Sequence, residues 1–177
     1  MHTASGRWGW HQLDADWARR LVAASGVGRG DLVLDIGAGL GALTLPLIAS
    51  GAQVIAVEAH PTRAARLRAR FGPRVVVVVA DASDLRLPRR PFHVVANPPF
   101  AITSTLLRRL VHPGSRLRSA HLVLHEPAAR RWASPRAPAA ARWQRSFTVT
   151  LGPPVPRTAF QPPPSVSTRV LMLRRRV

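Results

Sequence analysis

Apolar positions along this chain switch between two spacings. Leu13, Trp17 and Leu21 recur every four residues and predict an amphipathic helix over Leu13–Val22, closed by the glycines of Gly26–Gly30. Asp31–Ile36 is a short apolar run that stops at glycines, the pattern of a buried strand. A helix over Ala42–Ser50 follows, broken at Gly51, and then a second strand over Gln53–Val57. Pro61 stands where a helix would start, and Thr62–Arg70 completes that helix before Gly72-Pro73. Val75–Val79 is an unbroken valine run, which predicts a strand buried on both faces. His93–Ala96 predicts a fourth strand and His121–Leu124 a fifth. Between them Ile102, Leu106 and Leu110 align on a helix over Ile102–Val111.

Strand and helix thus alternate, which predicts an α/β fold with a doubly wound, mostly parallel sheet and helices on both faces. The tail differs. Ser146–Leu151 and Thr168–Leu173 read as two strands joined by a Pro-rich connection, so an antiparallel pair is expected at the sheet edge. The Ala- and Pro-rich segment 133–142 is expected to be a flexible loop. No internal repeat is visible.

Composition narrows the class. The 177 residues suit one domain, expected to span 1–177, and 46% hydrophobic content is enough for a folded core. There is no cysteine, so neither a disulfide scaffold nor a cysteine-based metal site is available, and no metal is expected. No apolar run approaches the ~20 residues that cross a bilayer, and Met1–Trp17 has no signal-peptide core. A cytoplasmic, monomeric protein with no membrane role and no obligate protein partner is expected. Net charge is +18, with 26 basic residues against 8 acidic ones, and every basic residue is Arg. A GC-rich genome would explain Arg in place of Lys but not the surplus over acid. Such a surface binds polyanions, with nucleic acid the leading partner and an anionic membrane surface a distant second. A ribosomal or chromatin structural protein also fits the charge alone.

Gly37-Ala38-Gly39-Leu40-Gly41-Ala42 follows the first buried strand and opens a helix. A loop of this kind lets a ligand approach the backbone. Glu58 ends the second strand, where an acid binds ribose hydroxyls. This spacing serves a nicotinamide dinucleotide as well as S-adenosylmethionine. Asp81, after the valine strand, is a candidate acceptor for a cofactor's adenine amino group or else a loop or helix-capping aspartate. Asp35 is a candidate for a methionine ammonium or else a loop anchor.

Asn97-Pro98-Pro99-Phe100, closing the fourth strand, selects S-adenosylmethionine. The exocyclic amine of adenine is a poor nucleophile because its lone pair is delocalised into the ring. The Asn97 side-chain carbonyl and the Pro98 backbone carbonyl would each accept one N6 hydrogen, favouring a pyramidal nitrogen with a free lone pair. The prolines stiffen the loop, and Phe100 offers a flat face to a base that has left its stack. Positioning and electrostatics would then carry an in-line transfer, with no general base evident.

These motifs resemble those of the ribosomal RNA adenine N6-methyltransferases, the family of the Erm macrolide-resistance methylases and the KsgA/Dim1 dimethyltransferases. The resemblance runs through Leu34–Thr44, Val57-Glu58, Ala80-Asp81-Ala82 and Asn97–Phe100 to Phe160-Gln161-Pro162-Pro163-Pro164-Ser165-Val166. It implies a Rossmann-like class I methyltransferase: a seven-stranded sheet with an antiparallel edge strand, S-adenosylmethionine as cofactor, and adenine N6 in 23S rRNA as target, conferring macrolide-type resistance. A KsgA-like 16S rRNA enzyme, a DNA adenine methylase and an idle RNA-binding factor on the same fold are the alternatives. By the same resemblance His11, Leu13 and Ala82 would touch the cofactor, and Phe160 would either wall the adenine pocket or serve as a core aromatic.

Two departures stand out. The family's opening Gly-Gln-Asn/His-Phe-Leu reads Gly9-Trp10-His11-Gln12-Leu13 here, so His11 and Leu13 match while Trp10 and Gln12 do not. The chain also stops at Arg174-Arg175-Arg176-Val177, where typical members continue into a helical RNA-binding domain, as in the short actinobacterial Erm methylases. No separate RNA-binding domain is therefore expected. RNA contacts would fall to Arg63, Arg66, Arg68, Arg70, Arg130, Arg131, Arg136, Arg142, Arg145 and the terminal arginines, with Trp8, Trp10, Trp132 and Trp143 as candidates to stack on unpaired bases.

Overall fold

A computed structural model describes residues 10–176. The chain enters through a two-residue strand, β1 (Gln12–Leu13), and then α1 (Ala15–Ser25). The predicted helix therefore starts late. Asp14 caps it, its carboxylate accepting from the Trp17 backbone N–H at 2.7 Å, which leaves Leu13 in extended backbone. Gly26, at φ 69°, ends it. The alternation then proceeds as the sequence predicts, through β2 (Leu32–Ile36), α2 (Thr44–Ala49), β3 (Gln53–Val57), α3 (Pro61–Phe71), β4 (Val75–Val78), β5 (Phe92–Ala96) and α4 (Thr103–Leu110).

The second half holds β6 (Leu117–His125), α5 (Glu126–Trp132), α6 (Ala140–Trp143), β7 (Phe147–Val155), β8 (Phe160–Gln161) and β9 (Thr168–Arg175). β6 begins four residues before the predicted strand, where Leu117 and Ser119 already pair with β5. β7 includes Pro153 and Pro154. It tolerates them as the outermost strand, with a register irregularity between Leu151 and Pro154.

One seven-stranded sheet has the order β4-β3-β2-β5-β6-β9-β7. The first five strands are parallel, and β9 runs antiparallel between β6 and β7, so the antiparallel pairing sits at that edge, one strand in. This is the Rossmann-like methyltransferase architecture expected. Its two faces carry separate cores. Phe92, Leu106, Leu110, Trp132 and Phe147 belong to one; Leu21, Leu47, Leu67, Val95 and Phe160 belong to the other.

One expectation about burial needs correction. The valine strand β4 is the opposite edge of the sheet, pairing only with β3, so Val76 is 60% exposed instead of buried. A run of valines reports strand propensity but not which side of the strand a neighbour covers. Segment 133–142, expected to be a flexible loop, joins α5 to α6 and is anchored at two points. Ala137 is buried, Ala140–Arg142 enter α6, and the Trp143 indole donates to the Pro138 carbonyl at 2.9 Å.

Candidate active site

Ligands of open α/β sheets lie outside the carboxyl ends of the strands, where connections diverge to opposite faces. Here that place is between β2 and β5. The loop after β2 turns on Gly37, Gly39 and Gly41, all at positive φ (78°, 58° and 90°). The Gly37 and Ala38 N–H groups both donate to the Val57 carbonyl, at 2.8 and 3.1 Å, which ties the loop to the end of β3. A Cβ on Gly37 would lie 2.9 Å from Pro99 Cδ and 3.3 Å from Pro98 Cα, so only glycine lets the Asn97–Phe100 segment close against this loop.

Glu58, the next residue after β3, is buried with both oxygens in use. Oε2 accepts from the Gly39 N–H at 2.9 Å; Oε1 accepts from the His60 N–H at 2.8 Å and from Arg63 at 2.9 Å. The Arg63 guanidinium stands 5.6 Å from the centre of the Trp10 indole, which itself packs on Gly39. Trp10, His11, Gly37, Glu58, Arg63 and Asn97–Phe100 line one cleft. A second shares Trp10, His11, Gly37 and Asn97 with it and reaches Leu13 and Asp35. Asp35 is buried and accepts from the Thr44 hydroxyl at 2.7 Å. Burial pushes its pKa up to about 7; the Thr44 hydrogen bond opposes this, and the Glu58 charge adds to it.

Asn97 is held by the entering chain. Its side-chain nitrogen donates to the His11 carbonyl at 2.7 Å, and among the described residues its side-chain oxygen has no donor. His11 is itself fixed, Nδ1 donating to the Pro162 carbonyl at 2.8 Å. Beside it β1 pairs antiparallel with β8, Leu13 opposite Phe160. The late Phe160–Pro164 motif therefore straps the first described residues across the cleft. Phe100 stacks with His11 (centroids 5.8 Å apart) and meets His125 at 3.6 Å. Burial, and then the His11 charge, hold the His125 imidazole below the usual histidine range.

His125 was not singled out from the sequence. The available signal was its position at the end of β6, neighbour to β5, where strand ends converge on a ligand.

The structure gathers most of the sequence candidates. His11, Leu13, Asp35, Gly37, Glu58, Asn97, Pro98 and Phe100 all line the two adjoining clefts, and Gly39 lies beside them under the Trp10 indole. Three others lie outside both. Asp81 is exposed, with Oδ1 taking the Ser83 N–H and hydroxyl at 2.8 Å each, which holds its carboxyl below the usual range. Ala82 is in the core. Phe160 is 4% exposed, a core aromatic packed in the cluster with Leu13. Trp132 and Trp143 are buried and stack on each other at 6.0 Å, so neither presents a face to a base, and Trp8 lies outside the described residues. Arg63, Arg68, Arg70, Arg130 and Arg175 bond to protein acceptors, whereas Arg66, Arg131, Arg136, Arg142, Arg145, Arg174 and Arg176 are exposed.

The cleft suits an adenosyl cofactor on two counts. The atoms nearest Gly39 belong to the Trp10 side chain, which a ligand can displace without moving backbone, and Arg63 Nε is a buried donor without an acceptor beside Glu58. Among the described residues, no helix is long and apolar enough to cross a membrane and no group of three or more His, Cys, Asp or Glu is placed to hold a metal.

Comparison with known proteins places the chain. The family described as ribosomal RNA adenine dimethylase matches residues 13–177. An rRNA adenine N-6-methyltransferase of Corynebacterium diphtheriae is 38% identical, over 81% of this chain and 57% of that protein. The mycinamicin-resistance protein MyrB of Micromonospora griseorubida is 39% identical, over 81% of this chain and 47% of its own length. The chain thus spans about half the length of these two relatives. Ribosomal RNA small subunit methyltransferase A of Thermosynechococcus vestitus is 38% identical over 98% of this chain and 71% of that protein. Among solved structures, the 23S rRNA methyltransferase ErmE superimposes with a TM-score of 0.84 at 27% identity, covering 93% of this chain and 69% of that one.

Proposed function

The chain belongs to the ribosomal RNA adenine dimethylase family, and from that premise we propose that it transfers a methyl group from S-adenosylmethionine to N6 of an adenine in ribosomal RNA. The observation that carries this is the Asn97–Phe100 segment, closed against the glycine loop and fixed by the His11 carbonyl. When bound, the cofactor supplies an electrophilic sulfonium methyl. Displacement of the Trp10 indole from Gly39 would admit it along the glycine loop, Glu58 and Arg63 would hold its ribose, and Asp35 would pair with its ammonium.

The Asn97 amide already gives its N–H to His11, so its oxygen is the group left to accept an N6 hydrogen. The Pro98 carbonyl accepts the other. Drawing both hydrogens toward fixed acceptors localises the lone pair on nitrogen and aims it along one line. Phe100, backed by His11 and His125, holds the flipped base by stacking. The methylated amine then loses its proton to water. Asn97→Ala should lower kcat roughly 100-fold or more while leaving cofactor affinity near wild type. Full methylation by this variant would refute the mechanism.

We place the target in 23S rRNA, where a methyl group would obstruct a macrolide-type drug. The likeness to a mycinamicin-resistance protein and to ErmE supports this reading. The near-complete alignment with a small-subunit methyltransferase favours 16S rRNA as the second reading. A monomer working in the cytoplasm, where ribosomes are, fits either. Transfer of labelled methyl to protein-free 23S rRNA, 16S rRNA and duplex DNA, compared side by side, separates them. Label on 23S rRNA alone sustains the first reading, label on 16S rRNA alone replaces it with the second, and label on DNA alone refutes both.

A further inference from the structure

The positive charge is divided unequally between the two halves of the sheet. Residues 1–84 hold 9 arginines and 7 of the 8 acids, a net of +2, whereas residues 85–177 hold 17 arginines and Glu126 alone, a net of +16. The first stretch builds the cofactor half, β2–β4 with α1–α3, and the second builds β5, β6, β7 and β9 with α4–α6. The field of the molecule therefore points a polyanion at the half that carries Asn97 and Phe100.

Within that half the charge gathers in a place remote from the clefts described above. Two adjoining grooves, of about 700 and 400 Å³, share Gly114, Ser115 and Arg116. Arg89, Arg108 and His112 line the first, and Arg118 and Arg175 the second. Arg89, Arg108, Arg116 and Arg118 are exposed and make no ion pair among the described residues. Arg175 is committed to the groove wall, donating to the Leu117 and Ser115 carbonyls at 2.8 and 2.7 Å. Arg109 is turned inward to the Ser83 and Leu85 carbonyls, beside Asp84. The other acid at this end of the sheet, Asp31, is engaged by the Gly28 N–H and faces His93. Burial, and then the neighbouring Arg118 and Arg116 charges, lower the pKa of Arg175, as expected of cations crowded without a counter-ion.

The groove opens where β5 and β6 begin, and Asn97 follows the end of β5. Five strand residues separate the two ends, a span of about 17 Å. α4 joins them on the outside, starting just after Phe100–Ile102 and ending at the groove, and its exposed positions Ser104, Thr105 and Arg108 include no acid.

We propose that this groove is a second docking site for the substrate RNA, gripping backbone phosphates about 17 Å from the adenine being methylated. It rests on the reading of the chain as an RNA methyltransferase and adds how the RNA is held. Four unpaired guanidiniums in grooves whose lining holds no acid complement backbone phosphates in charge, and the planar fork of each suits phosphate oxygens. Contacts of this kind position RNA without reading its sequence.

The test is the double variant Arg116→Ala/Arg118→Ala, with Arg116→Lys/Arg118→Lys beside it. RNA binding is followed by fluorescence anisotropy across a salt series, and methyl transfer at varied RNA concentration. The alanine pair should lower the slope of log Kd against log salt by about 1.5. It should raise KM for RNA roughly tenfold with kcat and cofactor affinity unchanged. The penalty should shrink as the RNA is shortened toward the target base, and the lysine pair should restore the slope. Wild-type slope and KM in an alanine pair that melts like wild type would overturn the proposal and leave the groove to an acidic protein. If the wild type itself methylates no RNA, the methyltransferase reading fails, while the slope comparison needs only binding and still decides the groove.

Discussion

Asp35 offers a test that reads the cofactor site through folding. Its carboxyl keeps a proton up to about pH 7 in the folded protein, because burial opposes the charge, whereas the unfolded chain releases that proton near the ordinary aspartate value of 3.8. Between those two values the folded state binds the extra proton, so this group makes stability fall as pH rises, and the loss levels off above 7. Integrated from pH 5 to pH 8, the loss is about 3 kcal/mol. Asp35→Asn removes the titration and keeps an oxygen that can accept from the Thr44 hydroxyl. Urea unfolding followed by tryptophan fluorescence at both pH values should therefore show the variant gaining on wild type by about 3 kcal/mol between pH 5 and pH 8. A gap that does not change with pH would refute the argument. Binding gives the complementary sign. A cationic ammonium pairs with ionised Asp35, so cofactor binding below pH 7 should release about one proton per site in wild type and none in the variant. Calorimetry in buffers of different ionisation enthalpy measures that release, and its absence from wild type would detach Asp35 from the ammonium.

Three further outcomes follow from the geometry. Gly37→Ala puts a Cβ 2.9 Å from Pro99 Cδ at a backbone φ of 78°, so it should displace the Asn97–Phe100 segment and abolish methyl transfer; retained kcat in this variant would contradict the packing. Phe160→Ala should cost about 3 to 5 kcal/mol in urea unfolding and also lower kcat, since the strap that holds Asn97 loosens; lost RNA affinity at unchanged stability would return Phe160 to the adenine pocket. Because the Trp10 indole packs on Gly39, cofactor binding should change tryptophan fluorescence, and Trp10→Ala should remove that change. The same signal in the variant would show that Trp10 stays in place when the cofactor enters.

Local chemistry decided what was legible in the sequence. The glycine loop, Glu58 and Asn97–Phe100 were readable because each function needs a particular residue at a particular strand end, and the parallel alternation fixes which ends come together. Information that depended on a distant partner was not readable. Leu13 fits a helical face by spacing, yet it is extended, because its partner Phe160 arrives some 150 positions later and Asp14 stops the helix reaching back. The same pairing draws Phe160 into the core, one of the two roles its motif leaves open. The motif around it reaches the site through the strap, with Pro162 holding His11 and His11 holding Asn97. The tryptophans mislead for a related reason. An indole can cover a core or receive a base, and only burial by elements far along the chain shows that Trp132 and Trp143 do the first. Charge behaves differently again. The surplus is plain from composition, but individual arginines sort into structural and free only in three dimensions: Arg63 is tied to Glu58 and Arg175 to two carbonyls, while Arg116 and Arg118 remain available. The arginines left free are therefore largely set by where the protein's own acceptors lie, and one acid in the last 93 residues leaves few side-chain partners to neutralise them.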